Sequence, residues 1–492
     1  VTITLIPKSI EDHWNISPVM VELTADVLYH LSAYLDDRDL RNFSLVNRLF
    51  NDVSRRYLYR TIVIELCSPD TLDVAVAIWT RILERANSFK YVRHVQVLAK
   101  HLDDHRNEFE EDYHDCGDDP LATWKYWFVS KSDELTMRIV FMDKTQVLIT
   151  RDSQWEDLSR FMQNFPNLKE LTWGCEEQIP ASVFRYISQK YLRLRLHMPA
   201  FKLPRRIGVN GEPGILDLDP YHVELATSPC LYSLTLFTVE DTLRSTEHAI
   251  MDMLAGAAPN LRELNMIFDT RDMPESEPKY RCGSQIAISP SGLGMLRHLG
   301  IFMVDHLSTL HAYSTVTDST MLKSLEIHGN IRIEPLLWLT SIQLPALEHL
   351  SFHVVDRRLV NIHDSTEAAK IVGEAITCLV ASLSSLQSLK MGGPYGEDTL
   401  STVLEYCGHR LRRLLLTTYR PDFGRAADEF VPIALVGVDL VQEVQRKCPR
   451  LEELALVVPR SKGDANEVAL YRALGSLASV RKLHLSMYCS EL

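Results

Sequence analysis

The densest group of metal-ligand side chains in the sequence is His101, Asp103, Asp104 and His105. Imidazoles and carboxylates together suit a divalent transition metal, but this stretch lacks the His-Glu-x-x-His arrangement of a catalytic zinc helix. It also falls in residues 101–120, where Asp103, Asp104, Glu108, Glu110, Glu111, Asp112, Asp115, Asp118 and Asp119 read as a solvated, mobile insertion. Gly208-Val209-Asn210-Gly211-Glu212-Pro213-Gly214 has the glycines of a phosphate loop but no Lys-Ser/Thr after them, so it reads as a turn between strands. No Gly-x-Ser-x-Gly elbow or Cys/His nucleophile signature occurs. The nine cysteines are scattered, with no Cys-x-x-Cys pair. That pattern argues against structural zinc or a disulfide framework, and for the reduced thiols of a cytoplasmic or nuclear protein. The expectation is a chain with no catalytic residue, no metal and no cofactor, whose chemistry is recognition.

Composition narrows what is recognised. The 492 residues are 46% hydrophobic and 24% charged, ordinary for a folded protein, and the net charge is −13. With no long Lys/Arg run, nucleic acid and anionic membrane are not expected partners. No stretch is long and apolar enough to span a bilayer. Another protein is the remaining class.

A short apolar pattern organises most of the chain: Leu-x-x-Leu-x-Leu, as in Leu451-Glu452-Glu453-Leu454-Ala455-Leu456. It recurs with first positions at Val92, Leu168, Leu231, Leu261, Leu296, Leu322, Leu347, Leu386, Leu411 and Val480. From Leu231 on, the steps are about 25 to 40 residues, the shorter ones within the period of leucine-rich repeats. The last two apolar positions lie two apart and share one face of a strand, while the residues between point the other way. One such strand cannot bury its leucines, whereas stacked copies share a core. Helical segments precede several copies: Trp155 to Asn164, Glu247 to Gly256 and Leu440 to Lys447. A proline often sits at the helix-to-strand junction, at 166, 229, 259, 345 and 449, where it ends the helix. Helix, turn and strand in repetition predict an α/β solenoid, a horseshoe with parallel strands inside and helices outside. Residues 269–290 carry three prolines and read as a long loop inserted in it.

The alternation of the strands nominates an inner face. Reading its positions across repeats aligns Phe237, Ile267, Phe302, His328 and His353, with His298 and His349 beside Ser233, Glu263 and Ser324. Large apolar side chains in a row on an open face need covering, either by a partner protein or by the inserted loops.

The N-terminal part differs. After a tail, residues 1–18, Val27, Leu28, Leu31 and Leu35 form a helical stripe that Thr24 can cap. A second helix is expected from Asp39, as its cap, to about Val53. Its Leu40, Phe43, Leu45, Val46, Leu49, Phe50 and Val53 cover an arc of roughly 220°, wider than one core can bury. A third helix is expected over 68–87, with Val74, Ile78, Ile82 and Leu83 as its buried stripe.

Two resemblances follow from these residues. The repeats resemble leucine-rich repeats, with Cys448-Pro449 before Leu451 as in the subtype found in F-box proteins. Residues 19–64 resemble an F-box: Leu23 and the Leu28/Leu31/Leu35 stripe match its first helix, and Asp39-Leu40, Leu45-Val46, Arg48 and Phe50 its second. Tyr57-Leu58-Tyr59-Arg60-Thr61-Ile62 matches the tail usual in the fungal branch of the family. Thr24 stands where proline is usual, and Asn47 where cysteine or serine is common. The resemblance implies an F-box at 19–64 followed by repeats over 65–492, acting as the non-catalytic substrate-recognition subunit of an Skp–cullin–F-box ubiquitin ligase. It places the Skp adaptor, and through it a cullin–RING ligase, on Leu23, Thr24, Leu28, Leu31, Leu35, Leu40, Val46 and Arg48. The solenoid would then hold the target protein. Two alternatives stand beside it: a leucine-rich-repeat scaffold whose helices are only a cap, and an adaptor-bound F-box protein in a non-proteolytic complex.

Overall fold

The computed structural model describes residues 2–3, 21–22, 24–66, 71–99, 152–175, 178–191, 193–201, 220–238, 249–268, 293–302, 307–331, 333–354, 365–393, 395–417, 436–461 and 463–488. These fall into two compact units, one within Val1–Leu102 and Lys144–His197 and the other within Met198–Leu492. The acidic stretch 101–120, the glycine-rich turn at 208–214 and the loop 269–290 lie outside the described residues.

The first unit starts with three short helices: α1 (Ala25–Ser32), α2 (Asp37–Ser44) and α3 (Arg48–Leu58). The expected second helix is thus two. The apolar spacing runs unbroken through Leu45 and Val46, but the side chain of Asn47 takes the N–H of Phe50 at 3.1 Å and starts a new helix. Asp36, not Asp39, caps α2, accepting the Asp39 N–H at 2.7 Å. Thr24 caps α1 as expected, accepting from Val27 at 3.5 Å. Leu28, Phe50 and Val53 form a small core with Phe43 and Leu49 packed on it, and the rings of Phe43 and Phe50 lie 4.4 Å apart. Upstream, Thr2–Ile3 pairs antiparallel with Val21–Glu22.

Strands β1 (Thr61–Leu66), β2 (His94–Ala99), β3 (Glu170–Gly174) and β4 (Arg195–Phe201) follow, each parallel to the next. Helices α4 (Thr71–Ala86), α5 (Asp152–Met162) and α6 (Ala181–Lys190) connect them. The expected stripe on α4 is corrected. Leu72 and Leu83 are buried, and the indole N–H of Trp79 donates to the carbonyl of Val63 at 3.0 Å, so that face meets the sheet. Val74, Ile78 and Ile82 point to water instead.

The second unit repeats the plan. Its described strands are β5 (Leu231–Thr238), β6 (Glu263–Phe268), β7 (His298–Phe302), β8 (Ser324–Ile331), β9 (His349–Val354), β10 (Ser388–Gly392), β11 (Arg413–Thr417), β12 (Glu453–Pro459) and β13 (Lys482–Tyr488). Each is hydrogen-bonded in parallel to its sequence neighbour. The described helices are α7 (Pro220–Ala226), α8 (Leu307–Val316), α9 (Ile333–Thr340), α10 (Ser365–Ser382), α11 (Glu397–Cys407), α12 (Val438–Lys447) and α13 (Ala465–Gly475). Before Leu261, where a helix from 247 to 256 is expected, a π-helical turn over Met253–Ala257 closes the segment.

The leucine register is as the sequence implies. Leu234, Leu264, Leu299, Leu325, Leu350, Leu389, Leu414 and Leu454 stand side by side in the ladder and are all buried. The first apolar position of each copy, from Leu231 to Leu451, is buried as well. One backbone detail recurs at the start of each strand. The carbonyl of Arg297 accepts the N–H groups of both Lys323 and Ser324, that of Lys323 accepts from Glu348 and His349, and that of Gln387 from Arg412 and Arg413. Both lone pairs of the oxygen are used, so the bend into each strand leaves no polar group unpaired. Solenoid-like stacking of α/β repeats with parallel strands describes this unit.

Candidate binding surfaces

Two surfaces hold the residues that the sequence nominates. On the N-terminal helices the apolar residues divide. Leu28 and Leu40 are buried within the helices, and Leu35 is half-buried. Val27, Leu31 and Val46 are exposed, Tyr34 keeps 87% of its surface and Leu45 81%. Val27 and Leu31 lie one turn apart on α1, with Tyr34 just past its end. Leu45 and Val46 occupy the link between α2 and α3, immediately before exposed Arg48. Thr24 is exposed, and Leu23 lies outside the described residues. The helix break explains why Leu45 and Val46 face water. They sit in a link, where their direction no longer follows the phase of either helix. On the opposite side α1 is fastened to α3: the rings of Tyr29 and Tyr57 are 5.3 Å apart, and the Arg56 guanidinium sits 3.9 Å from the Tyr29 ring centre. Burial pushes the Tyr57 phenol up to about 12, while its hydrogen bond, with Arg56, pulls Tyr29 below the usual range.

The second surface is the sheet face that the leucines leave. In the second unit one ladder row reads Ser233, Glu263, His298, Ser324, His349, Ser388, Arg413, Glu453 and Lys482. The next row holds Asn265, Glu326, Ser351, Lys390 and His484. His298 pairs through Nε2 with Oδ1 of Asn265 at 2.8 Å. Nδ1 of His349 accepts from Nη2 of Arg413 at 3.1 Å, and Nε2 of His484 lies 3.4 Å from a Glu453 oxygen. Burial, with Arg413 beside it, holds the His349 imidazole below its ordinary range. The first unit carries the same kind of row. Its His94 meets Thr172 Oγ1 at 2.8 Å, Arg195 lies 3.7 Å from Glu170, and the rings of His94 and His197 are 6.5 Å apart. Burial lowers both imidazoles, His197 to about 4.

The third row of the face, nominated as open, is closed where it is described. Ile267 and His353 each keep 7% of their surface. Ile267 stands in register with residue 237 on one side and residue 302 on the other. The side chains of Phe237, Phe302 and His328 lie outside the described residues. His298 and His349 are half-buried, as is Arg413, which the same position of the pattern supplies two repeats beyond His349, while Ser388 between them is buried. Among the described residues no group of three or more His, Cys, Asp or Glu is placed to hold a metal ion; His101 to His105 are outside them. No helix among the described residues is long and apolar enough to cross a membrane.

No protein-family model matches the chain, and no curated protein does. A crystal structure of a protein from Bacteroides fragilis is similar over 74% of this chain and 74% of its own, at 14% identity and a TM-score of 0.27. So slight a likeness carries no argument about fold or function.

Proposed function

We propose that this chain is a non-catalytic substrate receptor. The N-terminal helices act as an F-box that binds the Skp adaptor of a cullin–RING ubiquitin ligase, and the repeats hold a target protein. The observation that carries this reading is the set of exposed apolar residues, Leu31, Tyr34, Leu45 and Val46, on helices that already have a core of their own. A helical cap serving only to close a repeat array should present a polar outer face, so the plain scaffold reading accounts for them poorly. Catalysis would be by proximity: tethering raises the effective concentration of target lysines near a separate transfer enzyme. The cytoplasm or nucleus is the compartment in which such a complex would act, without nucleic acid or membrane as partner.

The test is co-purification of the adaptor with the full chain and with a Leu31→Asp/Val46→Asp variant. Both positions are exposed, so the variant should keep its melting temperature while losing the adaptor. Retained adaptor binding would end the F-box reading. Recovery of a cullin with the adaptor separates a ligase receptor from an adaptor-bound protein in a non-proteolytic complex.

A further inference from the structure

Arg413 makes an unusual choice of partner. Its register neighbour on β12 is Glu453, a carboxylate one strand away. The guanidinium turns the other way, across Ser388 on β10, and donates to neutral Nδ1 of His349 on β9. Glu453 is engaged by His484 instead, and Glu348, beside His349 in sequence, by Lys323 at 2.7 Å. A guanidinium has five N–H donors in a fixed fork that suits a carboxylate or phosphate. Among the described residues one of these donors is used, on an uncharged acceptor, and the charge has no carboxylate within ion-pair distance.

The surroundings supply further donors. The hydroxyl of Ser388, between the two in register, has no hydrogen-bond partner among the described residues. Ser351, two residues beyond His349 on the same face, is 8% exposed, and its hydroxyl is buried without a partner among the described residues. Because an arginine can only donate, Nδ1 of His349 accepts from Arg413 and its other ring nitrogen carries the proton, a neutral form that burial and the Arg413 charge both favour.

We propose that Arg413, with His349 and Ser388, forms a subsite on this sheet face for an oxyanion, carboxylate or phosphate, presented by a peptide segment of the bound protein. The subsite rests on the reading of the sheet face as the target-holding surface. The fork of Arg413 supplies bidentate recognition, and the buried Ser388 hydroxyl beside it a further donor.

The experiment measures binding of two fluorescent ten-residue peptides, one of glutamates and one containing phosphoserines, to the full chain by anisotropy. Because the chain carries a net charge of −13, unspecific attraction of an acidic peptide is disfavoured and binding reports a local site. Arg413→Gln should weaken binding tenfold or more. Arg412→Gln, a charge-matched control at the adjacent exposed residue, should change it less than twofold. Arg413→Lys, which keeps the charge and loses the fork, should still cost threefold or more. Preference for one peptide identifies the source of the oxyanion. Equal losses for Arg412→Gln and Arg413→Gln, no change with Arg413→Gln, or no binding of either peptide to the intact chain would overturn the proposal. Adaptor co-purification should be untouched by Arg413→Gln, and peptide binding untouched by Leu31→Asp/Val46→Asp. Failure of the subsite and failure of the receptor reading therefore give different results.

Discussion

Leu454 in β12 and Leu45 between α2 and α3 are the same residue type in opposite situations. The first has none of its surface in water; the second keeps 81%. In the repeats each strand leans on a copy before and after it, so every leucine of the ladder meets another leucine in register. The N-terminal helices have no such series of copies. Their core is a handful of residues around Leu28 and Phe50, and what exceeds it stays outside. Away from its last strand, where Leu483 and Met487 are exposed, a repeat array satisfies the leucines of its ladder internally, whereas a module this small keeps apolar surface for something else to cover.

The sharpest way to break this contrast is truncation. Leu264→Ala or Leu454→Ala should cost roughly 2–5 kcal/mol of unfolding free energy in denaturant titration, since each leaves a cavity in a stacked core. A cost under 1 kcal/mol would mean that the ladder does not bear the load given to it.

The polar face of the first unit should show itself in pH dependence. Burial lowers His197 from 6.5 to about 4, so the unfolded chain binds the proton first. Stability from this group is present above pH 6.5 and is lost as pH falls through that window toward 4, by about 3 kcal/mol at most. His197→Asn should flatten the melting-temperature profile between pH 6.5 and 4. An unchanged profile would show that the imbalance lies elsewhere.

Smaller effects test the helical module. Asn47→Ala removes the cap that starts α3 and should cost about 1 kcal/mol. Asn47→Ser should recover most of it. Smallest of all, Leu45→Ser should change stability by less than about 0.5 kcal/mol, as an exposed position with no packing to lose. A larger cost would mean that Leu45 is covered within the chain, and the contrast with Leu454 would collapse.

The repeats were legible because their signal is redundant: Leu261, Leu264 and Met266 say the same thing as Leu451, Leu454 and Leu456. Two strands escaped the pattern for a local reason. In β1 the first apolar position is taken by Tyr59, and before β4 it is shifted by one residue to Leu194. The break before α3 was illegible because hydrophobic spacing carries no mark of a cap. Asn47 stood out only as a departure from the resemblance, although its side chain is what ends one helix and starts another. On α4 the spacing allowed two faces, and the one containing Trp79, with its hydrogen bond to Val63, won the sheet. On the inner face, strand alternation nominated Ile267 and His353 as open positions, but alternation carries no information on what covers a face, and both are buried. The bridge from Arg413 to His349 spans 64 positions of sequence and depends on which rotamer an arginine prefers over a serine.

Strand spacing gives the face a scale. Parallel strands stand about 4.8 Å apart, while a chain in the polyproline II conformation advances about 3.1 Å per residue and brings every third side chain back to one face. Two strand steps, such as those separating His349 from Arg413, therefore match three residues of such a partner laid across them, about 9.6 Å against about 9.3 Å. The two rulers coincide at every third residue of the partner, in the manner of a vernier. The mismatch grows by only about 0.3 Å per coincidence, so from β5 to β13 they drift apart by about 1 Å. A partner sequence with its anchoring side chains three apart would stay in step along the whole unit, and one with anchors two or four apart would lose register within a few strands.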